Sequence, residues 1–174
     1  PILRTLQFSL SGARDLSIIN TPPPNRQSIE TTIIGLNEKI ISNAMSYEIA
    51  RNGQVFFVHN IIENIEEVAS FLRSLCPDAN IKTGHGQMQG NQIEFLMNDF
   101  IEGRFDILVS TTIIENGVDI PNANTIIINN AQNFGLSDLH QMRGRVGRSN
   151  KKAFCFLISP PTHQISEDSR KRLN

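Results

Sequence analysis

The chain has 174 residues and a net charge of −1, with 39% hydrophobic and 19% charged residues. These values are typical of one globular domain with a buried core, and they argue against a wholly basic protein that coats nucleic acid. The longest apolar runs, residues 125–128 and 154–158, are too short to span a bilayer, so we expect a cytoplasmic protein with no membrane partner. Cys76 and Cys155 lack the spacing of a metal or redox site, and we expect reduced thiols and no metal site.

Short β-rich runs alternate with amphipathic helical stretches along the chain. The alternation through short connections predicts βαβ units, which form a parallel sheet with helices on both faces, a three-layer α/β/α sandwich. The predicted elements, in chain order, are a candidate strand at 16–19, a helix over 36–51, a strand at 55–58, a helix over 65–75 that Pro77 ends, a strand at Ile81, a helix over 90–102, strands at 107–109 and 125–128, a helix over 137–142 capped by Ser137 or Asp138, and a strand at 154–158.

The loops after the strands are the first candidate sites, because open parallel sheets bind ligands at the carboxyl ends of their strands. The segment 110–121, STTIIENGVDIP, follows one strand and offers hydroxyls and backbone amides that suit phosphate oxygens. Asn60 follows another strand, and Gly84, His85 and Gly86 follow a third at a predicted helix start, which favours phosphate. The alternatives are a plain turn with strand-end caps for 110–121, a helix cap for Asn60 and a structural role for His85.

The most specific pattern is the octet 141–148, QMRGRVGR. An arginine keeps its charge and presents a planar fork of donors that fits phosphate oxygens, and the two glycines permit close approach of the backbone. The octet begins a run of positive charge without any acid, which consists of Arg143, Arg145, Arg148, Lys151 and Lys152. A solvated basic face or a surface turn are the alternatives to a phosphate site.

The octet resembles motif VI of superfamily 2 helicases and translocases, and segment 110–121 resembles motif V, with Asn116 where relatives commonly have threonine. The resemblance implies that Arg145 and Arg148 are arginine fingers, with Arg148 as the first choice for the γ-phosphate of ATP. It also implies that the nucleotide contacts Gln141, Glu115, Gly117 and Asp119. The residues implied to contact the DNA backbone are Thr111, Thr112, Asn60, Gly84, His85 and Gly86.

The resemblance implies a RecA-like second motor domain over residues 31–160, preceded by a linker over 1–30 and followed by the start of a coupling segment over 161–174. The sequence contains neither a G-x-x-x-x-G-K-[ST] loop nor an acidic Walker B run. We therefore expect a first RecA-like domain of the same protein to supply most of the site for ATP and Mg²⁺, and the chain alone to be inactive as an ATPase.

The rest of the chain narrows the resemblance to duplex-DNA translocases. Within these, the match is closer to the branch that acts on stalled transcription complexes in DNA repair, which implies RNA polymerase and repair proteins as partners through other domains. The branch that reverses stalled replication forks and a non-catalytic binding module with a decayed motor fold are the alternatives. The segments that carry this match are 1–6, 11–19, 84–88, 97–100, 133–141 and 162–173.

Overall fold

The computed structural model describes residues 28–111 and 120–161. These residues form a six-stranded, fully parallel sheet in the order β1-β6-β5-β2-β4-β3. The strands are β1 Glu30–Ile34, β2 Gln54–Val58, β3 Ile81–Gly84, β4 Ile107–Ser110, β5 Ala123–Ile128 and β6 Phe154–Ile158. The helices are α1 Glu38–Ala50, α2 Ile65–Leu75, α3 Gly90–Ile101 and α4 Leu136–Arg143, with a 3₁₀ turn at Ala131–Asn133.

The sheet lies between two hydrophobic cores, which confirms the predicted three-layer α/β/α sandwich. Every residue of β2, β4 and β5 is buried, because helices cover both faces of these central strands. On one face, α1 and α2 pack through Ile41, Met45, Ile65, Ala69 and Leu72. On the other face, α3 and α4 pack through Leu96, Met97, Phe100, Leu139 and Met142. No helix within 28–111 or 120–161 has the length and apolarity that crossing a membrane requires.

Local sequence accounts for the start of α1 and the end of α2. Asn37 caps α1 through its Oδ1, which accepts from the Ile40 amide at 3.1 Å, and α2 ends two residues before Pro77. The predicted cap of α4 is wrong, because the N-cap is Gly135 rather than Ser137 or Asp138. Asp138 instead lies in the first turn, where its Oδ2 accepts from the Gly135 amide at 3.2 Å.

Strand β1 was not among the predicted elements. It pairs only with β6 in the described sheet, from Glu30 opposite Phe154 to Ile34 opposite Ile158, and four of its five residues are exposed. An exposed edge strand has neither the apolar run nor the strict alternation that reveals buried strands. The strand begins at the last residue of the predicted linker 1–30, and the candidate strand at 16–19 lies outside the described residues.

Candidate nucleic-acid and nucleotide surfaces

The carboxyl edge of the sheet brings together the described residues predicted to contact DNA. Strands β2, β4 and β3 are neighbours, so Asn60, Thr111 and the segment Gly84–Gly86 follow adjacent strand ends. Asn60 and Gly86 are exposed, His85 is half-buried, and Gly84 and Thr111 are buried. Thr112 lies outside the described residues.

Backbone hydrogen bonds extend the sheet one residue past these strand ends. The His59 amide donates to the Ser110 carbonyl at 2.8 Å, and the Thr111 amide donates to the Gly84 carbonyl at 3.2 Å. The Thr111 amide is therefore already used within the sheet. Any contact that Thr111 makes with a phosphate must come from its hydroxyl.

His59 ties the two halves of this edge together. The helices that follow β2 and β5 lie on opposite faces of the sheet, which makes the gap between these neighbouring strands a topological switch point. There the buried His59 accepts from Asn129 Nδ2 through Nδ1 at 3.0 Å and donates from Nε2 to Asn64 Oδ1 at 2.7 Å. Asn64, not Asn60, is the N-cap residue of α2. The sequence reading missed His59, although its position directly after a buried strand was a signal.

Two buried polar atoms on this edge have no hydrogen-bond partner among the described residues. They are Ser110 Oγ, at the end of β4, and His85 Nδ1, directly after β3. A buried polar atom without a partner costs free energy, and native structures rarely leave one unexplained. The carboxyl edge therefore has hydrogen-bonding capacity that residues 28–111 and 120–161 do not use.

The arginine octet lies at the opposite edge of the sheet. Helix α4 leaves the carboxyl end of β5, and the segment after it returns to the amino end of β6. Ser149 Oγ donates to Oδ1 of Asn124, the second residue of β5, at 2.6 Å. A Cβ on Gly147 would lie 3.1 Å from Ala153 Cβ, immediately before β6. The rule that ligands bind at the carboxyl edge therefore does not describe the position of the octet.

Arg145 and Arg148 differ in local backbone conformation and in exposure. Helix α4 ends at Arg143, and the Arg145 amide then donates to the Met142 carbonyl at 3.0 Å in a turn. Gly147 adopts φ 75° between them, so Arg145 and Arg148 do not share a helical face. Arg145 is half-buried, whereas Arg148 and Gln141 are exposed. Glu115, Gly117 and Asp119, the other residues predicted at the nucleotide, lie outside the described residues.

The positive run is only partly a solvated basic face. Lys151 Nζ donates to the carbonyls of Arg51 and Asn52 at 2.9 and 3.2 Å, which caps the carboxyl end of α1. Lys152 Nζ pairs with Glu30 at 2.5 Å. Lys151 therefore contacts the end of α1 instead of extending freely into solvent, whereas the exposed Lys152–Glu30 pair contributes little to stability.

Arg143 lies close enough to the Cys155 thiol to affect it. Burial raises the pKa of Cys155 to about 12, and Arg143 and Thr31 oppose that shift only in part. Cys155 is therefore a packed core thiol, as expected for a reduced cysteine.

A protein family described as the helicase conserved C-terminal domain matches residues 36–150. The chain belongs to this family. It is 49% identical over 173 residues to the transcription-repair-coupling factor of Escherichia coli (strain K12), an alignment that covers 99% of this chain and 15% of the relative. The chain therefore spans a small part of the curated relative that it matches, and the sequence-based resemblance is confirmed.

Solved structures show the same fold. The structure of RecG bound to a three-way DNA junction matches with a TM-score of 0.79 and 34% identity over 98% of this chain and 23% of that chain. Saccharomyces cerevisiae Dbp5 bound to RNA and ADP BeF3 matches with a TM-score of 0.64 and 16% identity, over 98% of this chain and 46% of that chain. The RecA-like expectation is thus confirmed at the level of the fold.

Proposed function

We propose that this chain is the second RecA-like motor domain of an ATP-dependent double-stranded DNA translocase that acts in transcription-coupled DNA repair. The observation that carries the proposal is the separation of two surfaces suited to phosphate. The polar carboxyl edge is suited to a nucleic-acid backbone, and the arginine octet at the amino edge is suited to a nucleotide.

The residues of the octet fit a triphosphate approached from one side. Arg148 is exposed and Arg145 is half-buried, and both follow the end of α4, with Gly147 in a positive-φ conformation between them. Guanidinium groups delivered to a γ-phosphate stabilise the charge of the transition state, which is worth about 10³ to 10⁵ in rate. Because the sequence has no Walker A loop, ATP and Mg²⁺ would be held mainly by a first RecA-like domain, with Gln141, Glu115, Gly117 and Asp119 contributing from this chain.

The carboxyl edge fits a DNA backbone that is held without sequence readout. Hydroxyl, imidazole and amide groups position phosphates but carry no base specificity. The residues proposed for this contact are Asn60, Gly84, His85, Gly86, Thr111 and Thr112. The RecG structure, which contains a DNA junction, supports duplex DNA as the substrate of this fold at 34% identity.

Nucleotide binding at one edge would be coupled to DNA binding at the other because the arginines contact the nucleotide in one state of the motor and not in the other. The arginines contact the nucleotide only when the two motor domains are closed around it, so the bound triphosphate favours the closed state and its hydrolysis removes that preference. Alternate closing and opening, with each domain holding the backbone, moves the protein along duplex DNA. The isolated chain is expected to hydrolyse no ATP above background.

The biological process is inferred from the relatives. The 49% identity to a transcription-repair-coupling factor exceeds the 34% identity to RecG, which favours action on stalled RNA polymerase over reversal of forks. RNA polymerase and repair proteins would bind through other domains, in the cytoplasm. Fork reversal is the second candidate, supported by the fold match to RecG. Displacement of a stalled polymerase, assayed beside regression of fork-shaped DNA with the same preparation, discriminates the two.

The direct test is DNA-stimulated ATP hydrolysis by the full-length translocase carrying Arg148→Ala. We expect turnover to fall roughly a hundredfold or more with ATP binding retained. Arg104→Ala is the matched control, since it removes an exposed arginine that pairs with Asp99 and Glu102 before β4, a strand separated from β6 by two others. Near-normal turnover in Arg148→Ala would leave the octet as a surface turn or a DNA contact, and the motor assignment would then rest on segment 110–121 alone.

A further inference from the structure

A buried polar network contacts the segment that follows the arginine octet. Its centre is Glu48 on α1, a carboxylate with no exposed surface that pairs with Arg51 Nη2 at 2.5 Å. Thr125 Oγ1 donates to Glu48 Oε2 at 2.5 Å, and Asn124 Nδ2 donates to Oε1 at 3.3 Å. We call Glu48, Arg51, Asn124 and Thr125 the buried network. Burying a charge costs free energy, and three buried polar side chains, those of Glu48, Asn124 and Thr125, beside the half-buried Arg51 call for a reason beyond packing.

The network extends to the segment after Arg148, besides the contacts that Asn124 makes with the Asn122 carbonyl and Arg51 makes with the Tyr47 and Phe154 rings. Asn124 Oδ1 accepts from Ser149 Oγ at 2.6 Å, and Arg51 Nη2 donates to the Lys152 carbonyl at 2.7 Å. Ser149 Oγ in turn accepts from the Lys151 amide at 3.2 Å. Residues 149–152, which we call the anchor segment, are thus held by side chains from α1 and β5.

Arg148 is bracketed by fixed points on both sides. Before it, Val146 is fully buried and Gly147 has so little space that an added Cβ would meet Ala153 and Ile29. After it comes the anchor segment. Arg148 itself is exposed, so the fold fixes its backbone while presenting its side chain at the surface.

We propose that the buried network centred on Glu48 positions the arginine fingers, with the Asn124–Ser149 hydrogen bond as the link that transmits this control to Arg148. The inference rests on the proposed function. Catalysis by a charged group depends steeply on its position, and a misplacement of about 1 Å can cost about a hundredfold in rate. Glu48, Asn124 and Ser149 are positioning residues in this scheme, since the contacts found for them are within the protein.

The test uses Ser149→Ala, Asn124→Ala and the double variant in the full-length translocase. Ser149→Ala removes one hydroxyl from a half-buried position and leaves Arg148 untouched, so it is expected to fold. The matched control is Ser42→Ala, which removes a hydroxyl that donates to the Leu75 carbonyl at 3.0 Å, between α1 and α2 and outside the network. The readouts are kcat and KM for DNA-stimulated ATP hydrolysis, DNA affinity, and amide hydrogen exchange over residues 147–152.

We expect each single variant to lower kcat about tenfold with KM and DNA affinity retained, and the double variant to lose no more than the worse single one. In Asn124→Ala, exchange of the amides at 147–152 should accelerate while that of His59 stays the same. Normal kcat in Ser149→Ala, with Arg148→Ala still impaired, would overturn the positioning role and leave the proposed function standing. Equal loss in Ser42→Ala would also overturn it, because the effect would then be general loosening. Normal turnover in both Ser149→Ala and Arg148→Ala would remove the arginine-finger role within the proposed function and the inference together.

Discussion

The carboxylate of Glu48 occupies the space that a side chain at Gly53 would need, with Oε1 only 1.7 Å from the position a Cβ would take. Gly53→Ala must therefore push Glu48 away from Arg51 and Thr125. We expect the free energy of unfolding to fall by about 1–3 kcal/mol, the usual cost of overpacking a core. Urea unfolding of the 174-residue chain, with and without the substitution, measures this loss in the free energy of unfolding. Gly86→Ala is the control, because Gly86 is exposed and nothing lies within 4 Å of its added Cβ. Equal stability of the two variants would show that Glu48 moves aside without cost.

Alanine substitutions at Gly147 and Gly103 distinguish the free-energy cost of backbone strain from the cost of steric crowding. Both have positive φ, at 75° and 71°, but only the Cβ added to Gly147 meets neighbours, at 3.1 Å from Ala153 and 3.2 Å from Ile29. We expect Gly103→Ala to lower the free energy of unfolding by about 1 kcal/mol from strain alone. Gly147→Ala should lose about a further 1–3 kcal/mol from crowding. Thermal or urea unfolding of both variants checks this, and an equal loss would mean that Ile29 and Ala153 yield readily.

Glu48 also shows where sequence reasoning stopped. Continuous apolar runs predicted the strands that are buried on both faces, and apolar residues spaced by three or four predicted the amphipathic helices, because burial of one helix face imposes that spacing. These patterns did not reveal a buried carboxylate, since a glutamate in a helix is normally exposed, and no local pattern marks its partners on a distant strand. Asn124 inside the apolar run of β5 was the one available signal. The octet has a spacing that the sequence displays, whereas the network that contacts the following segment joins residues far apart in the sequence and is visible only in the structure.

Because the DNA backbone is proposed to bind at the carboxyl edge, a substitution at that edge should lower DNA affinity. Asn60 is exposed beside the carboxyl edge, so Asn60→Ala should weaken duplex DNA binding by the full-length translocase about fivefold, the loss of one hydrogen bond to phosphate. The binding isotherm at two salt concentrations measures this, with the dependence on salt retained because no charge is removed. Asn43→Ala, an exposed asparagine on α1, should bind as the unmodified protein does. Equal affinity of the Asn60 and Asn43 variants would contradict a backbone contact at Asn60.

Cys155 should resist alkylation in the folded chain. Burial raises the pKa of its thiol to about 12, so at about pH 8.5, the ordinary value of a free cysteine, almost none is thiolate. We expect iodoacetamide to leave Cys155 unmodified in the native chain and to modify it once guanidinium unfolds the protein. Peptide mass spectrometry measures both states. Rapid native modification would show that the β6 core opens readily.

Asp99 is expected to stabilise the fold near neutral pH and to lose this effect in acid. Lys82 Nζ donates to Asp99 Oδ2 at 2.9 Å, and this hydrogen bond, helped by the charges of Lys82 and Arg104, lowers the pKa of Asp99 below its ordinary value of 3.8. A carboxyl with a depressed pKa in the folded state stabilises the fold above its unfolded pKa and loses that effect as pH falls through the folded value. The stabilisation is therefore complete near neutral pH and disappears only in acid.

Carboxyl-carbon NMR titration of the chain checks this directly. We expect the Asp99 midpoint to lie below 3.8 in the unmodified chain and to rise in Lys82→Met, because its strongest donor is then lost. In that variant the difference between the folded and unfolded pKa shrinks, so less of the resistance to acid unfolding depends on Asp99. Lys39→Met, which removes an exposed lysine of α1, should leave the midpoint where it was. A midpoint at or above 3.8 in the unmodified chain would mean that solvent screens the Lys82 contact, and that Asp99 contributes nothing to stability as pH falls.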